Sequence, residues 1–272
     1  MTLPDEFPAR VGAFACDLDR TLIGEDGVLG GRSRAAIEAV RAAGIPFVVA
    51  TGRMFQSVRR YLVGDEPVVC YQGAVVAEPT TGRFLRHEPI PLELAREAIE
   101  AVVAEGYHLN CYVGDELYVA EVTPEARAYA DFQHLAIHPV GDLQEWLDEP
   151  PTKLVAVGDP EELDGLEVRL KELFGNRLYV SKSLPYFLEL ASPQVTKASG
   201  MAFLAEHLGF ARERTVAFGD GENDVELLGW AGYAVAVEGG HQRVLAVADL
   251  VCPGPAEEGV AQVLEAFLDL RA

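Results

Sequence analysis

Two aspartates one residue apart, Asp17 and Asp19, close an apolar run in the stretch Phe14-Ala15-Cys16-Asp17-Leu18-Asp19-Arg20-Thr21-Leu22. Along a β-strand, residues i and i+2 share a face, so a strand starting near Val11 is expected to present both carboxylates side by side. At ~4 Å and an effective dielectric of ~20 their repulsion is roughly 4 kcal/mol, which requires a nearby cation or a shared proton. Read alone, the stretch has a polar exit from a strand as its alternative reading. A second acidic stretch, Gly219-Asp220-Gly221-Glu222-Asn223-Asp224, follows another apolar run and adds up to three carboxylates. Oxygen-rich loops of this kind bind hard divalent cations. The twelve-residue ligand spacing and terminal glutamate of an EF-hand are missing, so a magnesium site shared with Asp17 and Asp19 fits better.

Two further stretches extend the chemistry. Thr51-Gly52 ends a third apolar run, where a hydroxyl, backbone N–H groups and a glycine that admits close approach would suit an oxyanion. Seen alone, it is as readily a plain turn. Lys197 opens a helical pattern, and taken singly would be a solvated side chain. Together these groups support phosphoryl transfer. One carboxylate attacks phosphorus while a second protonates the leaving oxygen and then activates water. A magnesium ion and a lysine neutralise the equatorial oxygens.

The elements that must hold these groups follow from periodicity. Residues 33–43 read as a helix capped by Ser33 and ended by Gly44. Residues 45–50 and 68–71 are continuous apolar runs, the pattern of strands buried on both faces. Residues 74–77 and 84–85 form a hairpin. The first 80-odd residues therefore read βαβαβ, a doubly wound parallel sheet. From 86 to 186 the pattern changes to short hairpins and amphipathic helices, an α+β module. From Phe187 the large-sheet pattern returns, with strands near 187–190, 215–218, 233–237 and 250–252 and a final helix over 259–270. The expected architecture is an α/β domain of residues 1–85 and 187–272, with an α+β domain of residues 86–186 inserted in it.

The bulk numbers agree with two domains. The chain has 272 residues, 49% hydrophobic and 24% charged, as in ordinary globular proteins. Its formal charge of −21, from 43 acidic and 22 basic residues, argues against nucleic acid and anionic membranes as partners. An anionic substrate would need a local positive centre. The four cysteines are widely spaced and form no CxxC pair, so buried thiols are expected. The acidic, proline-containing start does not read as a signal peptide, and no apolar run reaches the ~20 residues of a membrane span. A cytoplasmic protein is the expectation.

With these stretches in order as DLDRT, ATGR, VTK and FGDGEND, the chain resembles the haloacid dehalogenase superfamily phosphatases, specifically the Cof-type branch with a large inserted α/β cap. The resemblance spans nearly the whole chain. It implies that Asp17 is the nucleophile that forms an aspartyl-phosphate and that Asp19 is the general acid/base. It further implies that the Asp19 carbonyl, Asp17, Asp220 and Asp224 hold magnesium, and that Thr51, Gly52, Lys197 and Asn223 bind the phosphoryl group. Several positions depart from the branch: Arg20 stands where Gly is usual, Gln72 for Asn, and Ala198 for Gly. Glu238-Gly239 replaces Gly-Asn, and Pro255 replaces Asn.

The expected function is a magnesium-dependent phosphatase for small phosphorylated metabolites, sugar phosphates first, in a monomer or small homo-oligomer. A phosphosugar mutase with the same intermediate and a non-catalytic phospho-accepting module are the alternatives. His134 and His138 are four apart but flank apolar residues and Pro139, which favours a strand or loop over a metal site. Tyr112, Tyr118 and Tyr129 read as packing residues in the module, with a substrate-facing role as the alternative.

Overall fold

The computed structural model describes residues 1–270, and the chain divides into two compact units. The first comprises Met1–Gly52, Arg59–Arg86 and the chain from Thr196 on. It is built on a five-stranded parallel sheet in the order Leu250–Cys252, Tyr233–Val237, Thr215–Gly219, Ala13–Cys16, Phe47–Val49. The inner strands are buried along their whole length, as continuous apolar runs require. Alternation divides their side chains between two faces. Phe14 packs edge-on against Phe267 of the helix Gly259–Asp269, with ring centroids 5.4 Å apart. Ala15, Val48 and Ala217 pack with Met201, Leu204 and Leu227 from the helices Lys197–Leu208 and Val225–Trp230. The mixed α/β architecture with a parallel core is the one expected.

Three local expectations are corrected. The strand Ala13–Cys16 stops before Asp17, so both aspartates lie in the loop beyond it and the strand pleat does not align them. The strand Val68–Cys70 leaves the large sheet after one bridging pair, Ala50 with Val69, and forms an antiparallel three-stranded sheet with Val75–Ala77 and Phe84–His87. Ser33 is not a cap: the helix Gly31–Ala42 begins two residues earlier, and the Ser33 N–H donates to Glu258 Oε2 at 2.6 Å.

The second unit comprises Arg53–Val58 and His87–Val195. Its six-stranded sheet runs in the order Tyr179–Leu184, Phe187–Ala191, Lys153–Val157, His108–Val113, Glu116–Val119, Ile137–Pro139. The strand Phe187–Ala191, expected to return the chain to the large sheet, pairs antiparallel with Lys153–Val157 and Tyr179–Leu184 instead. A short apolar run reads alike in either sheet; what distinguishes this one is Glu189, whose carboxylate pairs with Lys153 Nζ at 3.1 Å, both buried. Burial would lower the Lys153 ammonium, but Glu189 outweighs it and leaves the group raised. The helices Leu92–Ala104 and Pro160–Phe174 cover the opposite face through Leu109, Cys111, Leu154, Ala156, Leu188 and Leu190.

Tyr112 and Tyr129 are buried, and the Tyr112 hydroxyl donates to that of Tyr129. Tyr118 lies against Trp146 with centroids 4.4 Å apart, so all three tyrosines pack within the unit. His134 ends the helix Pro124–Gln133, whereas His138 sits in a strand, so the pair shares no helical face. All four cysteines are buried and free, and burial pushes the Cys111 and Cys252 thiols up to about 12, far from thiolate at neutral pH. Among the described residues no helix is long and apolar enough to cross a membrane.

Residues 53–58 follow Thr51-Gly52 directly yet belong to the second unit. The reason is Asp115, in the turn between His108–Val113 and Glu116–Val119, with a left-handed φ of 65°. Its carboxylate accepts from the Phe55 and Gln56 N–H groups, each at 3.0 Å, and so caps the short helix Phe55–Val58. Gln56 Nε2 returns two bonds, to the Asp115 carbonyl at 2.7 Å and Glu116 Oε1 at 2.8 Å. Asp115→Ala should lower unfolding stability by about 1–2 kcal/mol, with faster amide exchange at residues 55 and 56. An unchanged denaturation midpoint would refute the capping role.

Candidate active site

The acidic cluster forms where the first unit's parallel strands end. Thr215–Gly219 delivers Asp220, and the tight turn after it folds Asp224 back onto the backbone. Asp224 Oδ2 accepts from the N–H groups of Asp220 at 3.1 Å and Gly221 at 3.0 Å. Gly219 is needed because a Cβ there would collide with the Asp224 side chain. Carboxylate oxygens of Asp17, Asp220 and Asp224 lie within 4.8 Å of one another, and all three residues are buried.

Lys197 is the first residue of its helix and is only 1% exposed. Its Nζ donates to Asp17 Oδ1 at 2.5 Å and Asp224 Oδ1 at 2.6 Å. The helix start is fixed by Thr196, whose hydroxyl accepts from the Ser199 N–H at 3.0 Å while Ser199 Oγ accepts from the Thr196 N–H at 3.1 Å. Burial alone would lower the lysine's pKa, but Asp17 and Asp224 hold it raised. The isolated solvated lysine is thereby replaced by a buried ammonium shared between two carboxylates.

One ammonium does not balance three carboxylates. Burial, then Asp224, push the Asp17 carboxyl well above the ordinary carboxylate range despite Lys197. Burial and Asp224 also raise Asp220, against smaller opposing effects of Arg20 and Thr21. A cluster that favours protonation in the absence of another cation, and that offers only oxygen donors, fits a hard divalent metal. Arg20 does little to supply the missing charge: its Nε lies 3.7 Å from Asp220 Oδ2, and its side chain is 62% exposed.

Asp19 is partly exposed, pairs its backbone with Ile23, and stands outside the group of three. Thr51 is buried, and its N–H donates to the Val69 carbonyl at 2.9 Å. Gly52 lies against the Gln72 side chain. Asn223 Nδ2 donates to Gln72 Oε1 at 3.1 Å. Thr21, part of the first motif but given no role from sequence, is buried and donates from Oγ1 to Asp220 Oδ1 at 3.1 Å. It links the loop bearing Asp17 to the loop bearing Asp220. Its place two residues after Asp19 was the available signal. Gln72 was visible only as a departure from the branch. Arg20 adopts a φ of 62°, the left-handed region that favours glycine, which accounts for the residue usual at that position.

A family model described as haloacid dehalogenase-like hydrolase matches residues 14–264. The 5-amino-6-(5-phospho-D-ribitylamino)uracil phosphatase YitU of Bacillus subtilis is 27% identical, covering 94% of this chain and 97% of that protein. The phosphoglycolate phosphatase of Archaeoglobus fulgidus is 29% identical, covering 95% and 97%. The crystal structure of TM0651 from Thermotoga maritima superposes with a TM-score of 0.84 at 32% identity, covering 94% and 97%.

A divalent cation held by these carboxylates should stabilise the fold, by about 2.7 kcal/mol at a hundredfold excess over its dissociation constant. Melting of the purified protein with and without magnesium should show this as a raised Tm, and Asp220→Asn should lose most of the shift. An equal shift in wild type and Asp220→Asn would place the ion elsewhere.

Proposed function

The chain belongs to the haloacid dehalogenase-like hydrolases and is a phosphatase, and on that premise we propose a magnesium-dependent enzyme that hydrolyses small phosphorylated metabolites, sugar phosphates first, through an aspartyl-phosphate. The observation that carries this reading is the buried Lys197 ammonium, bonded at once to Asp17 and Asp224. It offsets part of the cost of ionising a buried Asp17, and an ionised carboxylate is what a nucleophile must be.

In the proposed reaction an Asp17 carboxylate oxygen attacks phosphorus as the bond from phosphorus to the leaving oxygen breaks. Asp19 transfers its proton to that oxygen, which departs as an alcohol. Asp19, now a carboxylate, takes a proton from water as the water oxygen attacks the same phosphorus. The bond to Asp17 then breaks, freeing inorganic phosphate and restoring both residues. Thr51, the backbone at Gly52, Asn223 and Lys197 hold the phosphoryl oxygens and stabilise charge that grows on them. Asp17, the Asp19 carbonyl, Asp220 and Asp224 would hold the magnesium, which when bound adds positive charge beside the phosphoryl group.

The chain between Arg86 and Thr196 is inserted in the unit that carries the acidic cluster, and such an insertion supports a limit to small substrates. The names of the relatives, phosphatases of a phosphoribitylaminouracil and of phosphoglycolate, support the same size range. The charge of −21 supports a role without nucleic acid or membrane partners, which we place in the cytoplasm as a monomer or small homo-oligomer.

Purified protein with magnesium should release phosphate from a panel of small phosphomonoesters and from an aryl phosphate. Asp17→Asn should cut turnover by at least about 10³-fold. Asp19→Asn should slow turnover by about 10²–10⁴-fold, and with an aryl phosphate should leave a phosphoryl group on Asp17, readable by peptide mass. A panel without turnover, or full activity in Asp17→Asn, would sink the proposal. An isomerised sugar phosphate formed only with a bisphosphate would point to a mutase.

A further inference from the structure

We infer that Gln72 is a positioning residue of the active site, setting the orientation of Asn223 against the Thr51-Gly52 backbone. The inference rests on the phosphate contact proposed above for Asn223. Its starting point is backbone conformation. Tyr71, Gln72 and Gly73 have consecutive φ values of 51°, 58° and 107°, so two side chains in succession occupy a region that disfavours them. Both are buried. Such strain persists only where the surroundings over-determine it, and it concentrates at functional sites.

The surroundings here are three of the four motif segments. The Gln72 N–H donates to the Thr51 carbonyl at 3.0 Å. A Cβ on Gly52 would collide with Gln72 Nε2, so the side-chain amide lies close against the Gly52 backbone. Its Oε1 accepts from Asn223 Nδ2 at 3.1 Å. Gly73 packs so closely on the start of the Lys197 helix that a Cβ there would collide with the Thr196 carbonyl. Gly200, one turn into that helix, similarly has room for no side chain against Val69. The turn therefore ties the loop of Thr51 to the helix of Lys197, and the Gln72 side chain reaches across to the loop of Asp220 and Asp224.

The hydrogen bond between the two amides decides which way Asn223 faces. Asparagine has one acceptor and two donors at its tip, and a fixed Nδ2 partner determines what the remaining atoms present. Without Gln72 Oε1, the Asn223 side chain is free to rotate, and ordering it falls to the bound phosphate. The cost then appears in binding more than in turnover.

The test uses the magnesium-loaded enzyme and inorganic phosphate as a competitive inhibitor, with an aryl phosphate as substrate. Gln72→Met keeps the length and removes the amide. It should raise the phosphate Ki and the substrate KM by about fivefold, as for one lost neutral hydrogen bond, with kcat changed less. In an Asn223→Ala background the same substitution should have no further effect, because its route has been removed. A wild-type Ki in Gln72→Met, or a fivefold loss that persists in the Asn223→Ala background, would overturn the inference. A wild-type Ki in Asn223→Ala alone would remove the phosphate contact on which it rests, and the single variants separate that failure from failure at Gln72. Should Gln72→Met not fold, Gln72→Gly tolerates positive φ and removes the amide altogether, and the same outcomes apply to it.

Discussion

The site depends on an imbalance of charge: three carboxylates taken out of water around a single ammonium. Lys197 is an unusual residue for its place, since the first turn of a helix is positive and favours anions. Here two carboxylates outweigh that repulsion, and the helix N-terminus and the lysine direct positive potential to the same point. The fold provides the approach by removing side chains. Gly73 and Gly200 let the helix and the turn of residues 71–73 touch backbone to backbone, while Gly219 makes room for Asp224.

The loops pay for this in conformation rather than in packing. Arg20, Gln72 and Glu258 all hold positive φ without being glycine. At Gln72 and Glu258 a side-chain bond accompanies the strained backbone. Gln72 accepts from Asn223, and Glu258 accepts from the Ser33 N–H at the start of the helix Gly31–Ala42. At Arg20 the side chain gives only a long, exposed pair with Asp220, and nothing else in the structure explains the arginine there.

Much of this was legible in the residues themselves. The parallel sheet followed from unbroken apolar runs, because a strand covered on both faces has no polar side to show. Asp17, Asp220, Asp224 and Lys197 were named from their types and their places at strand ends and a helix start, and they do converge. What escaped was whatever depends on long-range pairing. The Phe187–Ala191 strand gives no local sign of its sheet, since its partner Lys153 is 36 residues away from Glu189. Gln72 reaches Asn223 across 151 positions, and no periodicity carries that information. The pleat argument for Asp17 and Asp19 failed for a simpler reason: the strand ends at Cys16, before either aspartate.

Residues 53–58 give the chain an organisation that simple insertion does not describe. The boundary between units is crossed at 52/53 and 58/59 as well as at 86/87 and 195/196. Two units joined at only the last two crossings could be separated by excising one continuous stretch. Here, excision of residues 87–195 would leave the helix Phe55–Val58 behind without Asp115, its N–H groups uncapped, immediately after the proposed phosphate-binding Thr51-Gly52. The two units are thus not interchangeable modules: grafting a different insert at 86/87 and 195/196 would also require a new partner for the six residues left in the host.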